Sequence, residues 1–345
     1  MTMGNSLILA SLAADAAPGL KFREVRPLTG NQGGSITSAM LTTNEGSHYV
    51  VKMGATDSAE LELAAEVSVL RTIGNLAMPF KLSRQVGETR APGMRPASVF
   101  EFVYGSPLDL ARVSSGSTLA ESIGSAIAAI HGINPTLILD AGFPEFSPAD
   151  TARARLNELD KLASTGKIAK VLLDRWSEAL ENVNLFRYTS TVVHSNLNAD
   201  TILEQDGQVS GVLGWHGVKV GDPAEDFTFL AANGDQEVMD AVRFAYLAEG
   251  TAADSNISQR ATLYSEMALG RWLLHGITTG NQEIIDDALG MLAALVQEVE
   301  SGAAIALIAG SFAAATAGAF IEPEVFQDTA TRQIELPERS EDELF

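Results

Sequence analysis

The sequence predicts an α+β protein of two lobes, a small and mainly antiparallel β lobe followed by a larger helical one. Three observations predict it. Up to about residue 103, short alternating runs of apolar and polar residues are punctuated by turn residues. Beyond Gly105, apolar residues recur at helical spacing. Short strand-like runs between 191 and 213 then interrupt the helices around an Asp-Gly turn. The division this implies is 1–104, 105–301 and a remainder, 302–345.

Taken in order, Ser6 to Ala16 reads as a helix ending before Pro18, with no basic residue ahead of its apolar run and so without the charged start of a signal peptide. Residues 20–55 read as antiparallel strands around a turn cluster at 29–35. In the run from 47 to 53, Tyr49, Val51 and Met53 share one face, while His48, Val50 and Lys52 share the other. Asp57 is the expected N-cap of a helix over 58–74, with Glu60 completing a capping box and Leu61, Ala65, Val69 and Ile73 at helical spacing. A strand over 98–103 runs into turn residues at 104–107. Thr118, with Glu121, is expected to cap a helix striped by Leu119, Ile123, Ile127 and Ile130. Further helices are expected over 148–164, with Ser147 as cap and Pro148 in its first position, and over 168–183, 236–248, 256–277 and 282–300. Strands are expected at 191–193, 202–204 and 209–213, the last two joined through Asp206 and Gly207.

Charge and composition exclude several functions. The 345 residues hold 44 acids against 23 Lys and Arg, a net charge of −21, which repels nucleic acid and anionic lipid. The same charge suits solubility, a cationic small molecule or a basic protein face. Cysteine is absent, so there is neither a disulfide framework nor a thiolate site, in keeping with a cytoplasmic protein. Residues 302–321 are long enough to span a bilayer by count, but they are Ala- and Gly-rich with no flanking Lys or Arg, so a docked helix or linker is expected rather than a membrane segment. Residues 322–345 carry eight acids and two bases and read as a disordered tail.

The stretch from His194 through Ser195, Asn196, Leu197, Asn198, Ala199, Asp200 and Thr201 to Leu203, then Val209 to Trp215, then Gly221-Asp222-Pro223-Ala224-Glu225-Asp226, resembles the catalytic core of the aminoglycoside phosphotransferase family. Its pattern there is HGDLHxxN-[VI]-L, a hairpin with G-V-[IL]-D-W, and GDPxxD. Segments 64–71 (AAEVSVLR) and 271–276 (RWLLHG) resemble the macrolide-phosphotransferase-like branch. The resemblance spans about residues 5–300 and implies a two-lobed, protein-kinase-like fold. It also implies positions for a phosphate-binding lysine, Lys52, and its helix partner, Glu66. A glycine-containing turn that includes Gly33 and Gly34, and a hinge at Glu101 and Val103, complete the nucleotide site. Asp226 would hold the catalytic loop, with Asp222 and His194 as framework residues.

Phosphoryl transfer needs a carboxylate to receive or orient the acceptor hydroxyl and metal ions to offset phosphate charge. Three positions that supply these groups in the family pattern are changed. The base position is Asn196, whose amide takes no proton at ordinary pH. The metal-binding asparagine position is Thr201, a short neutral hydroxyl, and the metal-binding aspartate position is Gly214, with no side chain. The expectation is a catalytically degenerate member acting as a binding or regulatory module for a protein partner or small ligand. No cofactor is required by the residues; ATP could still be gripped without metal, and magnesium is not expected. The alternative is an active ATP-dependent macrolide- or aminoglycoside-type enzyme with Asp200 or Asp222 as a substitute metal ligand. Taken from the residues alone, Lys52 and Glu66 form an ion pair tying helix to sheet. His194 reads as a packed, hydrogen-bonded framework residue with no anionic partner beside it. His216 reads as a solvent-facing loop residue, and the histidines at 48, 131, 216 and 275 form no metal-ligand spacing.

Overall fold

The structure is a computed structural model that describes residues 3–28, 36–90 and 94–308. The small lobe is a five-stranded antiparallel sheet in the order β1-β2-β3-β5-β4. Its strands are β1 (Phe22–Pro27), β2 (Ile36–Thr43), β3 (His48–Gly54), β4 (Gln85–Thr89) and β5 (Ala97–Glu101). The expected alternation in β3 holds: Val51 is fully buried with Tyr49 and Met53 packed on the same cluster, and Lys52 points the other way. That cluster lies between the sheet and helix α1 (Met3–Ala16), whose Leu9, Leu12 and Ala13 meet Ala39, Leu41, Val51, Ala97 and Val99.

Helix α2 (Asp57–Ile73) carries the residue that Lys52 reaches. Its N-cap is Thr56, whose Oγ1 accepts the Ala59 N–H at 3.2 Å, so the expected cap at Asp57 is one residue late. Asp57 is instead the first helical residue, at the positive end of the helix dipole and 2.7 Å from Arg95. The same correction applies to α3 (Thr118–His131), capped by Ser117 rather than Thr118, whose hydroxyl donates to the Gly207 carbonyl. In both places a hydroxyl one position earlier already reaches the third amide of the helix. At α5 (Pro148–Ser164) Ser147 is the cap with Pro148 in the first turn, as expected, and Asp150 completes a capping box that was not expected.

The large lobe is helical. Besides α3 and α5 it contains α6 (Lys170–Glu181), α8 (Gln236–Ala248), α9 (Ile257–Thr279) and α10 (Gln282–Ser301). Two short helices, α4 (Pro135–Asp140) and α7 (Thr228–Asn233), have no counterpart in the expected set. Strand pairs set the site: β6 (Ser106–Pro107), β8 (Ile202–Gln205) and β9 (Gln208–Val212) form one small sheet, and β7 (Thr191–Val193) pairs with β10 (Lys219–Gly221). The β8–β9 turn has left-handed φ at Asp206 and Gly207, +54° and +74°, as an Asp-Gly hairpin requires.

One continuous core joins the lobes. Leu63, Val67, Leu70 and Ile73 of α2 belong to the same buried cluster as Ile123, Ile127, Trp176, Trp215 and Leu273. The position of α2, and with it Glu66, is therefore fixed by large-lobe packing as well as by the sheet. After α10 the chain up to residue 308 docks back, with Ala304 and Leu307 buried and the Ile305 carbonyl accepting from Arg175. The rest of the Ala- and Gly-rich segment and the acidic tail lie outside the described residues. No described helix is long and apolar enough to cross a membrane.

Candidate active site

The loop from His194 to Thr201 is held at its start by one carboxylate. Antiparallel pairing of Val193 with Lys219 and Thr191 with Gly221 brings the turn after β10 beneath it. There Asp226 accepts the His194 N–H through Oδ2 and the Ser195 N–H through Oδ1, each at 2.7 Å. His131, from α3, places Nε2 3.2 Å from the same Oδ2 and Nδ1 3.0 Å from the Tyr246 hydroxyl. Burial alone would raise the Asp226 carboxyl. The His131 hydrogen bond, the nearby rings of His131 and His194 and the His194 amide outweigh it, so the group stays below the usual carboxylate range.

Asp222 is used just as fully. Its two oxygens take Arg260 Nε at 2.8 Å and the second guanidinium nitrogen at 2.9 Å, the Tyr264 hydroxyl at 2.6 Å and the Ala224 N–H at 2.9 Å. Both Asp222 and Arg260 are completely buried. Asp222 therefore has no oxygen turned to a cleft, which removes it as a substitute metal ligand. Asp200 lies at an exposed position of a turn whose amides, Asp200 and Thr201, are capped by Asn198 Oδ1 at 2.9 and 3.0 Å.

The upper half of the cleft is intact. Lys52 Nζ donates to both oxygens of Glu66, at 2.8 and 2.9 Å, and lies 5.1 Å from the centre of the Phe100 ring. Glu66 is only 3 % exposed. Its burial would raise its pKa, but Lys52 above all, then His216 and the Gly214 backbone amide, bring it below the usual value. His216 is thus not the solvent-facing residue expected. It is buried on a short 3₁₀ turn, Trp215–Gly217, that packs on α2, and burial depresses its pKa with Lys52 adding to the effect and Glu66 opposing it.

His194 departs in part from expectation. It is fully buried and its ring meets Trp215 edge-on, 4.7 Å between centroids, but the hydrogen bond to its acidic neighbour comes from its main chain. Its ring has the Leu213 backbone as a hydrogen-bond partner. Burial holds the ring neutral, with a pKa lowered to about 4, although Asp226 pulls it up. At the hinge, the Glu101 N–H donates to the Arg84 carbonyl and its C=O accepts the Ser83 hydroxyl, both at 2.8 Å, so both main-chain groups already have protein partners. Val103 is buried against Gly211. Gly33 and Gly34 lie outside the described residues.

The three changed positions meet at one point. Gly214 has φ +77° and ψ +40°, in the left-handed region. A Cβ added there would lie 3.1 Å from Thr201 Cγ2 and 3.2 Å from Asn196 Nδ2. Thr201 thus turns its methyl to Gly214, while its hydroxyl accepts the Asn198 N–H at 2.9 Å and lies 3.0 Å from the Asn196 carbonyl oxygen. A divalent cation of the hard type takes about six oxygens, including carboxylates. The trio supplies a methyl, an amide and an empty position, so these residues as they stand do not fit such a cation. Among the described residues no group of three or more His, Asp or Glu is arranged to hold a metal ion.

Arg260, Tyr264 and His131 were missed from sequence. Arg260 and Tyr264 fall on the stripe 257, 260, 261, 264 of an otherwise apolar helix face, a pattern that marks a buried charge needing a partner. His131 ends the apolar stripe of α3.

A two-lobed fold with a lysine–glutamate pair above a carboxylate-clamped loop defines the protein-kinase-like phosphotransferase class. The Phosphotransferase enzyme family matches residues 27–260, and the chain belongs to that family. It is 28 % identical to viomycin phosphotransferase of Streptomyces vinaceus over 257 residues, covering 71 % of this chain and 86 % of that protein. Its fold is that of a macrolide 2'-phosphotransferase from Brachybacterium faecium, with a TM-score of 0.70 at 22 % identity over 83 % of this chain and 98 % of the other. A GDP complex of aminoglycoside 2'-phosphotransferase-IIIa gives 0.69 at 15 % identity, over 84 % and 98 %.

Proposed function

We propose that this chain is a phosphotransferase-family protein without phosphoryl-transfer activity, which works in the cytoplasm as a binding or regulatory module built around the old cleft. The observation that carries this reading is Gly214. The position that would supply the main anionic metal ligand has no side chain, and its left-handed backbone and its walls of Thr201 and Asn196 disfavour one. Asn196, beside Gly214, has an amide that is not basic enough to take a hydroxyl proton at ordinary pH. General-base help contributes about 10² to 10⁴ in rate and metal charge several kcal/mol beyond that, so their joint loss removes most of the acceleration.

The intact Lys52–Glu66 pair favours a second reading, active transfer with another metal ligand. A turnover assay with Mg²⁺ or Mn²⁺ separates the two. ATP consumption and phosphate transfer are followed with viomycin, a macrolide and an aminoglycoside as acceptors. The expected rate equals that of Lys52→Ala; turnover that Lys52→Ala abolishes would establish the second reading.

A further inference from the structure

Two buried polar chains lead away from the turn that anchors the catalytic loop, and both end on the same stretch of surface. Asp222 caps the 3₁₀ turn Pro223–Phe227 and Asp226 lies within it. From Asp226, which accepts the His194 and Ser195 amides, the first chain runs through His131 of α3 to the Tyr246 hydroxyl of α8, in steps of 3.2 and 3.0 Å. Asp226 is held as a carboxylate and can only accept, so His131 Nε2 carries the hydrogen and Nδ1 faces Tyr246. The main-chain carbonyl of Tyr246 in turn accepts the Thr251 hydroxyl at 3.0 Å. From Asp222 the second chain runs through the Arg260 guanidinium to Asp254, whose Oδ1 accepts one of its N–H groups at 3.2 Å and the Asn256 amide at 3.0 Å. Thr251 and Asp254 both belong to the loop 249–256 that joins α8 to α9.

The links between loop and turn, His131, Tyr246 and Arg260, are all buried. Away from water, a link that loses its partner leaves a polar group unsatisfied, so each chain holds or gives way as a unit. The loop itself is different: Ala252, Ala253 and Ser255 are exposed, while Thr251 and Asp254 turn inward to α8 and Arg260. It is open to contact on its outer side and wired to both framework carboxylates on its inner side. We infer that the loop 249–256 is a control surface for the catalytic loop: displacing it loosens Asp226 and Asp222 and so frees the His194 and Ser195 amides. This holds whichever way turnover is decided, since it concerns the backbone that carries position 196 and not the group that stands there.

The test is hydrogen exchange of the full chain, followed at the amides of His194 and Ser195, with those of Leu292 and Leu295 in α10 as the reference. Tyr246→Phe takes the hydroxyl from the first chain, and Asp254→Asn takes the charge from the outer end of the second. Each should speed exchange of the two loop amides about tenfold, within the roughly 5- to 150-fold range of couplings between sites, and leave the reference amides within about twofold. Glu237→Gln, at an exposed acid of α8, should change neither set. Loop amides that exchange as in the parent in either variant, reference amides that speed up by the same factor, or an equal effect of Glu237→Gln would each overturn the inference, the second by showing that the chains serve general stability alone. The two substitutions lie on separate chains, so if one variant does not fold the other decides.

Discussion

The two carboxylates after β10 and the three positions beside Gly214 lie on neighbouring turns of one chain, yet they differ in almost every physical respect. Asp222 and Asp226 are completely buried, and both oxygens of each are taken by named donors. Thr201 and Asn196 crowd Gly214, where a Cβ would lie 3.1 and 3.2 Å from their side chains, with an unpaired amide nitrogen and no carboxylate among the three. The groups that hold the loop in shape are present, while the positions that carry the base and the metal ligands in the family pattern hold an amide, a hydroxyl and no side chain. The framework acids can therefore keep such a fold independently of what stands at those three positions, because the two sets share backbone but not partners.

The sharpest break in that comparison comes from Asp222→Ala. It leaves Arg260 buried with only Asp254 as counter-charge, and removal of one partner of a buried pair costs about 3–5 kcal/mol. A drop in Tm on the order of 10 °C is expected by calorimetry; a change of a degree or two would mean that the framework does not depend on this pair.

The next effect is one of pH. His194 has its pKa lowered to about 4 by burial, against an ordinary value near 6.5. Because the folded pKa lies below the unfolded one, the unfolded chain takes up the proton first. Stability is therefore full above about pH 6.5 and falls as the pH drops towards 4, by about 3 kcal/mol if the shift is complete. His216 is lowered in the same direction and adds to the slope. Thermal melts between pH 7 and 5 should show this decline, and His194→Phe, which keeps the edge-on contact with Trp215, should flatten it without removing it. An unchanged slope in that variant would show that the ring titrates in the folded protein.

The smallest effects separate two left-handed residues. Gly214→Asp places a side chain at φ +77° against Thr201 and Asn196 and is expected to cost about 1–2 kcal/mol. Ser195, at φ +63°, already carries such strain without a hydrogen bond from its hydroxyl. Ser195→Gly should therefore stabilise by up to about 1 kcal/mol, the entropy of glycine offsetting part of the relief. Chemical denaturation of both variants reads the difference; a stabilised Gly214→Asp would show that this position accepts a carboxylate after all.

Much of the fold was legible because it is written in local signals. The Asp206–Gly207 turn, the Ser147 cap and the alternation that separates Lys52 from Val51 each depend on a few adjacent residues, and each is found where expected. The site was legible by position, since a motif fixes order and spacing, but not by environment. That His216 turns in towards Glu66 depends on how residues 215–217 pack on a helix about 150 positions earlier in the chain. The engagement of Asp222 by Arg260, and of the Glu101 carbonyl by Ser83, likewise depends on partners that no local pattern names. Caps were misplaced by one residue where two hydroxyl or carboxyl candidates stood side by side, at Thr56–Asp57 and Ser117–Thr118.

The most direct test of the proposed loss of phosphoryl transfer is a single-turnover measurement with protein in excess over γ-labelled ATP and Mg²⁺, so that even a very slow transfer is seen. The label is predicted to remain on ATP, with the same slow loss in the parent and in Lys52→Ala. Label released or transferred by the parent and not by Lys52→Ala would contradict the account.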